Sequence, residues 1–293
     1  MHDAAYYIDL LLSGVTVGSL YALIAIGYTM VYGILRLINF AHGDIFMMAG
    51  FFMVYAATWM PMAVCIPLVL IATVALGVLI EKAAYSPLRT APRMSVMISA
   101  IGVSYLLQNA ALLLFGSQQM AYPTLVKLGS FSVGGVQVDG ITVLTLAVTA
   151  VLMAALTLFI DKTKLGKAMR AVSEDKDAAT LMGISVDRTI TLTFAIGSAL
   201  AAFASMFYGM TYVYIKPTTG AMPGIKAFTA AVFGGIGSIP GAVIGAFIIG
   251  ICETLIKGTS MTVFSDAFTF ALLIVILVVK PTGLFGEKLT EKV

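Results

Sequence analysis

The chain alternates long apolar runs with short polar breaks. A membrane-crossing helix needs about 20 mostly apolar residues. Residues 10–32, 62–80, 96–115, 141–160, 189–213 and 263–279 meet that length. Residues 38–59 are long enough too, but their first turns carry Asn39, His42 and Asp44. The stretch 226–256 is apolar throughout, yet Gly234, Gly235, Gly237, Pro240 and Gly241 interrupt it where a helix should break. It predicts a hairpin with arms 226–236 and 241–256. The first arm is too short to span upright, so it is either re-entrant or buried in protein. The chain crosses nine times if the hairpin spans fully and seven times if it does not.

The period changes in one place. Residues 131–133 and 136–138 alternate apolar and polar side chains about Gly134-Gly135, which predicts a β-hairpin capping the loop 116–140. The loop 161–188 is the most charged part of the chain, with six basic and five acidic residues.

Composition sharpens this pattern into a class. Hydrophobic residues make up 60% and charged residues 11%, against about 45–50% and 25% in soluble domains. With a mean hydropathy of +1.03, too few polar side chains remain to coat a water-soluble globule. The expectation is an all-α, polytopic transmembrane bundle forming a single domain over residues 1–293. Disorder, collagen and a disulfide scaffold are excluded. Nucleic-acid binding is excluded as well, because the net charge is only +3 and no dense basic stripe exists. Cys65 and Cys252 sit in apolar runs and read as small packing residues, with no metal site.

Charge also sets the orientation. Alternating the spans puts 13 of the 17 basic residues on one side, leaving Lys127, Lys216, Lys226 and Lys257 on the other. Basic excess marks the cytoplasm. The N-terminus is then outside and the C-terminus inside. His2 and Asp3, rather than basic residues, precede the first run, which is too long for the core of a cleavable signal.

Few residues are candidates for chemistry. Residues 168–182 are good helix formers, and Gly183 is a natural stop. Ala171, Ala178, Leu181 and Met182 form an apolar stripe beside a polar one of Glu174, Asp175, Lys176 and Asp177. Such a helix is either a solvated connector or one that docks into a partner's groove. Asn39, His42 and Asp44 are costly at membrane depth. Either they sit at the inner interface near Arg36, or they form a polar gate or structural cluster. His42 and Asp44 are two residues apart and do not face each other on a helix. Glu253 and Lys257 read as a helix-surface ion pair. Asp266 reads as an acid favoured by the dipole of the last helix's first turn. Gly237, Gly241 and Gly245, like Gly14 and Gly18, recur every four residues, a spacing that lets helices approach closely. Phe228, Thr229 and Phe233, beside the helix break, are candidates for a pathway lining. No G-x-x-x-x-G-K-[ST] loop is present to hold nucleotide phosphates. Nothing resembles a nucleophile–base pair, so no enzyme activity is expected.

The stretch Asp177-Ala178-Ala179-Thr180-Leu181-Met182-Gly183 resembles the E-A-A-x-x-x-G loop of ABC-importer permeases, with Asp177 where the pattern has Glu. Further segments are similar to branched-chain amino-acid ABC permeases of the LivH type. These are 35–44 (LRLINFAHGD), 85–89 (YSPLR), 165–171 (LGKAMRA), 226–241 (KAFTAAVFGGIGSIPG) and 281–286 (PTGLFG). Urea permeases are close relatives. The resemblance implies a bacterial inner-membrane permease subunit whose segment around Glu174, Asp177, Ala178, Ala179, Leu181, Met182 and Gly183 couples to a cytoplasmic ATPase. It implies partners as well: a second, LivM-like permease subunit, two ATPases carrying ATP and Mg, and a periplasmic binding protein. No cofactor would be bound by this chain. The rival expectation is a self-sufficient channel or proton-coupled carrier using His42 and Asp44.

Overall fold

The computed structural model describes residues 4–89, 91–133 and 136–286. The long apolar runs become α1 (Ala4–Leu35), α2 (His42–Trp59), α3 (Met62–Ile80), α4 (Arg93–Phe115) and α5 (Gly140–Lys162). Two short helices follow, α6 (Lys164–Glu174) and α7 (Lys176–Leu181). The remainder is α8 (Val186–Tyr212), α9 (Ala221–Gly234), α10 (Ile239–Lys257) and α11 (Ser265–Val279). A π-helical turn, Glu81–Tyr85, continues α3. Among the described residues, seven helices are long and apolar enough to cross a membrane. The fold is a polytopic helical bundle.

Burial separates the helices into two kinds. α1 and α8 are mostly covered by protein, whereas α4, α5 and α11 bury little of their surface. The outward faces of these three are apolar, as at Leu113 and Val278, which suits hydrocarbon rather than water. α1 packs most extensively on α10. A Cβ at Gly14 would lie 2.8 Å from the Cα of Ile251, and one at Gly18 would lie 2.9 Å from the Cα of Phe247. The four-residue glycine spacing is thus a close backbone crossing, as expected.

The interrupted stretch is a hairpin, but its first arm is longer than the sequence suggested. α9 begins at Ala221 and ends at Gly234, and α10 restarts at Ile239 with Pro240 in its first turn. At about 1.5 Å per residue, α9 is roughly 21 Å long, and it is largely buried in protein. Gly241 and Gly245 pack against Gly234 and Ala230. Gly237 does not share that role: it lies in the turn at φ 101° with open space where a Cβ would be.

Two small sheets close the end opposite α6 and α7. β1 (Met120–Ala121) pairs with β4 (Tyr214–Ile215), and β2 (Ser130–Val133) pairs antiparallel with β3 (Val136–Asp139). The register Phe131↔Val138 and Ser132↔Gln137 is that of the expected hairpin. Its turn, Gly134-Gly135, lies outside the described residues, as do Lys288 and Lys292 of the basic end.

Candidate functional site

The charged loop folds as two helices, not one. The chain breaks at Asp175, which has extended backbone and whose carboxylate accepts the amides of Asp177 at 2.8 Å and Ala178 at 3.0 Å. Asp175 is therefore the N-cap of α7. The expected stripe joining Ala171 to Ala178 does not exist, because those residues lie on different helices. At the other end, the Ile184 amide donates to the Ala179 carbonyl and the Gly183 amide to the Thr180 carbonyl, both at 3.0 Å. Gly183 sits between them at φ 81°. This is the paired-bond stop that needs a left-handed residue. Both ends of a two-turn helix are fixed by hydrogen bonds, so it holds its shape despite its length.

α7 divides its side chains sharply. Ala179 is buried, fastening the helix to the body, while Glu174, Asp177 and Ala178 are exposed. Leu181 is 89% exposed and Met182 81%. Two bare apolar side chains at the tip of a rigid, capped helix form a contact surface with no occupant among the described residues.

Asn39, His42 and Asp44 are not at a wet interface. All three are buried inside the protein. Tyr85 donates its hydroxyl to Asn39 Oδ1 at 2.7 Å. Asp44 accepts from Ser104 and, at 3.0 Å, from Gln108 Nε2, both on α4. His42 fits a notch between α1 and α8, since a Cβ at Gly27 would lie 2.3 Å from its Nε2. Tyr28 meets it edge-on with ring centroids 4.8 Å apart. The three residues are thus held by separate contacts at the start of α2; among the described residues no hydrogen bond joins His42 to Asp44, and Asn39 Nδ2 and His42 Nε2 are buried without a hydrogen-bond partner. The first turn of α2 also crosses that of α9 closely, because a Cβ at Gly43 would lie 2.5 Å from the Gly220 carbonyl oxygen.

The three candidates at the helix break separate in the same way. Phe228 is half-buried beside Tyr28, centroids 5.9 Å apart, and lines a small cavity with Tyr32 and Ile236. Thr229 is fully buried and donates to the Ile225 carbonyl of its own helix at 2.9 Å. Phe233 contributes its backbone: its carbonyl accepts the Leu284 amide at 2.9 Å.

Two ionic clusters escaped the sequence reading. Glu253 and Lys257 do pair, but Glu253 is only 1% exposed and is no surface residue. It also accepts from Tyr21 at 2.9 Å and from Lys226 at 2.7 Å. Lys226 is buried within α9 rather than opening the hairpin's first arm, and it reaches Asp266 at 2.6 Å as well. Asp266 is thus an ion-pair partner in addition to a first-turn acid. At the basic end, buried Glu81 accepts from Arg89 and, at 2.9 Å, from Thr191, and Arg89 also holds Asp187. The available signal was a charge inside or abutting an apolar run, as at Lys226 and Glu81.

A family model described as the branched-chain amino acid transport system / permease component matches residues 10–277. The chain belongs to this family. The high-affinity branched-chain amino acid transport system permease protein BraD of Pseudomonas aeruginosa is 44% identical over 307 aligned positions, covering 100% of both chains. The corresponding protein LivH of Escherichia coli K12 is 45% identical over 303 positions, covering 98% of both. Among solved structures, an inward-facing metal-chelate-type ABC transporter superposes with a TM-score of 0.50 at 14% identity. It covers 92% of this chain and 85% of that one, and speaks to the fold alone. The permease is therefore a multi-pass membrane protein of a transport family, not of an enzyme family.

Two of the segments that carried the resemblance meet in space. The Pro281 to Gly286 stretch of the permease lies across the helix break, its Leu284 and Phe285 amides bonding Phe233 and Gly234. Gly283, at φ 76°, leaves 2.5 Å between a would-be Cβ and the Gly235 Cα. These carbonyls end α9 and have no partner within it, so a segment about 50 residues away completes the helix.

Proposed function

We propose that this permease subunit translocates branched-chain amino acids across the bacterial inner membrane, driven by separate ATPases docked on α7. The carrying observation is the exposed Leu181–Met182 tip on a helix capped at both ends. A coupling element must be rigid and must present apolar surface that a groove can cover. Asp177 replaces the usual glutamate of the E-A-A pattern with the same charge in the first turn of α7, where the helix dipole favours an acid.

The path of force follows from packing. Ala179 and Ile184 tie α7 to the start of α8, and α6 rests on α1, α5 and α8. A push on the α7 tip therefore reaches α8 directly and α1 through α6. Those helices hold His42 between Gly27 and Gly197, so their movement shifts the crossing of α2 and α9 beside Phe228. Alternating access would pass along that face. The remaining parts are a second, LivM-like permease subunit, two ATPases carrying ATP and Mg, and a periplasmic binding protein that selects the substrate. The N-terminus is outside and the α6–α7 end inside.

The test is purification of the tagged permease from its host, followed by reconstitution. An ATPase subunit should copurify, and the complex should take up leucine only with ATP inside the ATPase compartment. ATP-dependent uptake of urea without leucine would replace the substrate. Leucine uptake by the chain alone under a proton gradient, lost in His42→Ala, would overturn the proposal.

A further inference from the structure

A cavity of about 480 Å³ opens at the basic end, between the end of α1, the start of α4 and the α6–α7 joint. Arg36, Arg89, Arg93 and Lys176 line it, from three separate stretches of chain. Their possible counter-charges are mostly engaged. The Arg89 guanidinium already holds Glu81 and Asp187, yet its Nε is buried without a partner. Asp175 caps α7 through its carboxylate. Arg36 makes a long hydrogen bond, 3.3 Å, to the Ser173 carbonyl. Among the described residues, Arg36, Arg93 and Lys176 take part in no ion pair, and Glu174 is the one lining carboxylate left without a hydrogen-bonded role. Burial first, and then the nearby Arg89, Arg36 and Arg93, lower the Lys176 pKa from its ordinary value.

The other wall is apolar, with Ile34, Leu35, Val96 and Val172. Arg93 is the first residue of α4, and Val96, one turn later, lines the pocket beside it. A cationic pocket with its own apolar wall, at the end of membrane-crossing helices, fits a molecule with an anionic head and apolar tails. Guanidinium groups match phosphate oxygens in a fork geometry. Basic pockets between membrane helices on the cytoplasmic side are the known setting for such headgroups.

We infer that this pocket holds the phosphoryl group of an anionic phospholipid, with the start of its acyl chains against the Ile34, Leu35, Val96 and Val172 wall. Inorganic phosphate offers the same charge but has no use for the apolar wall. The inference requires only that the chain spans a membrane, so it stands or fails apart from the identity of the transported solute.

The experiment measures phosphatidylglycerol retained by the intact, delipidated transporter, using native mass spectrometry and titration. Each basic residue near such a surface is worth a factor of about 5. Arg93→Gln alone should weaken binding about 5-fold, and Arg36→Gln with Arg93→Gln about 30-fold. Lysine replacements at both positions keep the charge and should retain most of the binding. Phosphatidylcholine should bind more weakly, and millimolar inorganic phosphate should not displace phosphatidylglycerol. Equal retention by wild type and the glutamine variants would overturn the inference. So would displacement by inorganic phosphate, which would make this a free-anion site. Unchanged lipid retention with lost ATPase copurification would instead assign the pocket to an acidic partner surface.

Discussion

The amide of Leu284 donates to the carbonyl of Phe233 at 2.9 Å, and that of Phe285 donates to Gly234 at the same distance. The segment after α11 thereby completes the end of α9 and pins the hairpin turn. Gly283 makes the approach possible, since its φ is 76° and any Cβ would meet Gly235 and Val232 at 2.5 Å. A branched residue there faces a left-handed cost of about 1–2 kcal/mol in addition to the clash. Gly283→Val should lower the thermal unfolding temperature of the detergent-solubilised protein, and Gly283→Ala should do so less. Gly129→Ala, where a Cβ meets nothing within 4 Å, should leave it unchanged. Equal melting of Gly283→Val and wild type would show that the strap does not hold the hairpin.

The Lys226–Glu253 pair should behave as a buried pair. Removing one partner strands the other charge, which costs about 3–5 kcal/mol in buried settings. Lys257 remains beside Glu253, so the loss from Lys226→Met should fall at or below the lower end. Lys226→Met and Glu253→Gln should each lower the melting temperature. The double variant Lys226→Met/Glu253→Gln should melt higher than the sum of the two losses predicts. Strict additivity in the melting curves would mean that the two groups do not depend on each other.

Orientation rests on the distribution of basic residues and is open to direct labelling. In a background with Cys65 and Cys252 replaced, Ser132→Cys on β2 should react with an impermeant thiol reagent in intact cells. Ser185→Cys, exposed beside α7, should react only after permeabilisation. External labelling at 185 would invert the topology and remove the ATPase dock with it.

The helices were legible because hydrocarbon imposes a length and a composition that soluble proteins do not share. The β-hairpin at 130–139 and the stop at Gly183 were legible for local reasons, period-two alternation and a residue suited to φ above zero. What escaped depended on partners far along the chain. Asn39 is held by Tyr85, and Asp44 by Ser104 and Gln108, so nothing near these residues in sequence marks them as buried or names their partners. Lys226 looked like the open end of the hairpin's first arm because α9 starts at Ala221, before the apolar run becomes continuous. The break at Asp175 was hidden because Ser173 and Lys176 fail as a capping box, while the aspartate two residues after Ser173 caps instead. The strap over Phe233 and Gly234 joins two segments whose resemblance was noticed separately. Their contact has no periodic signature.

Coupling through α7 is tested most directly by photo-crosslinking in the assembled transporter, with ATP-driven leucine uptake measured on the same preparations. A photoreactive residue at position 181 or 182 should crosslink to the ATPase subunit, and one at position 131, on the opposite end, should not. Ala178→Asp and Gly183→Val should abolish the crosslink and reduce uptake at least about 10-fold, since roughly 1.4 kcal/mol of lost contact already gives that factor. Lys164→Ala, at the start of α6, should match wild type. Full uptake by Ala178→Asp and Gly183→Val, with no ATPase crosslink from 181 or 182 in the active wild-type complex, would contradict the assignment of α7 as the coupling helix.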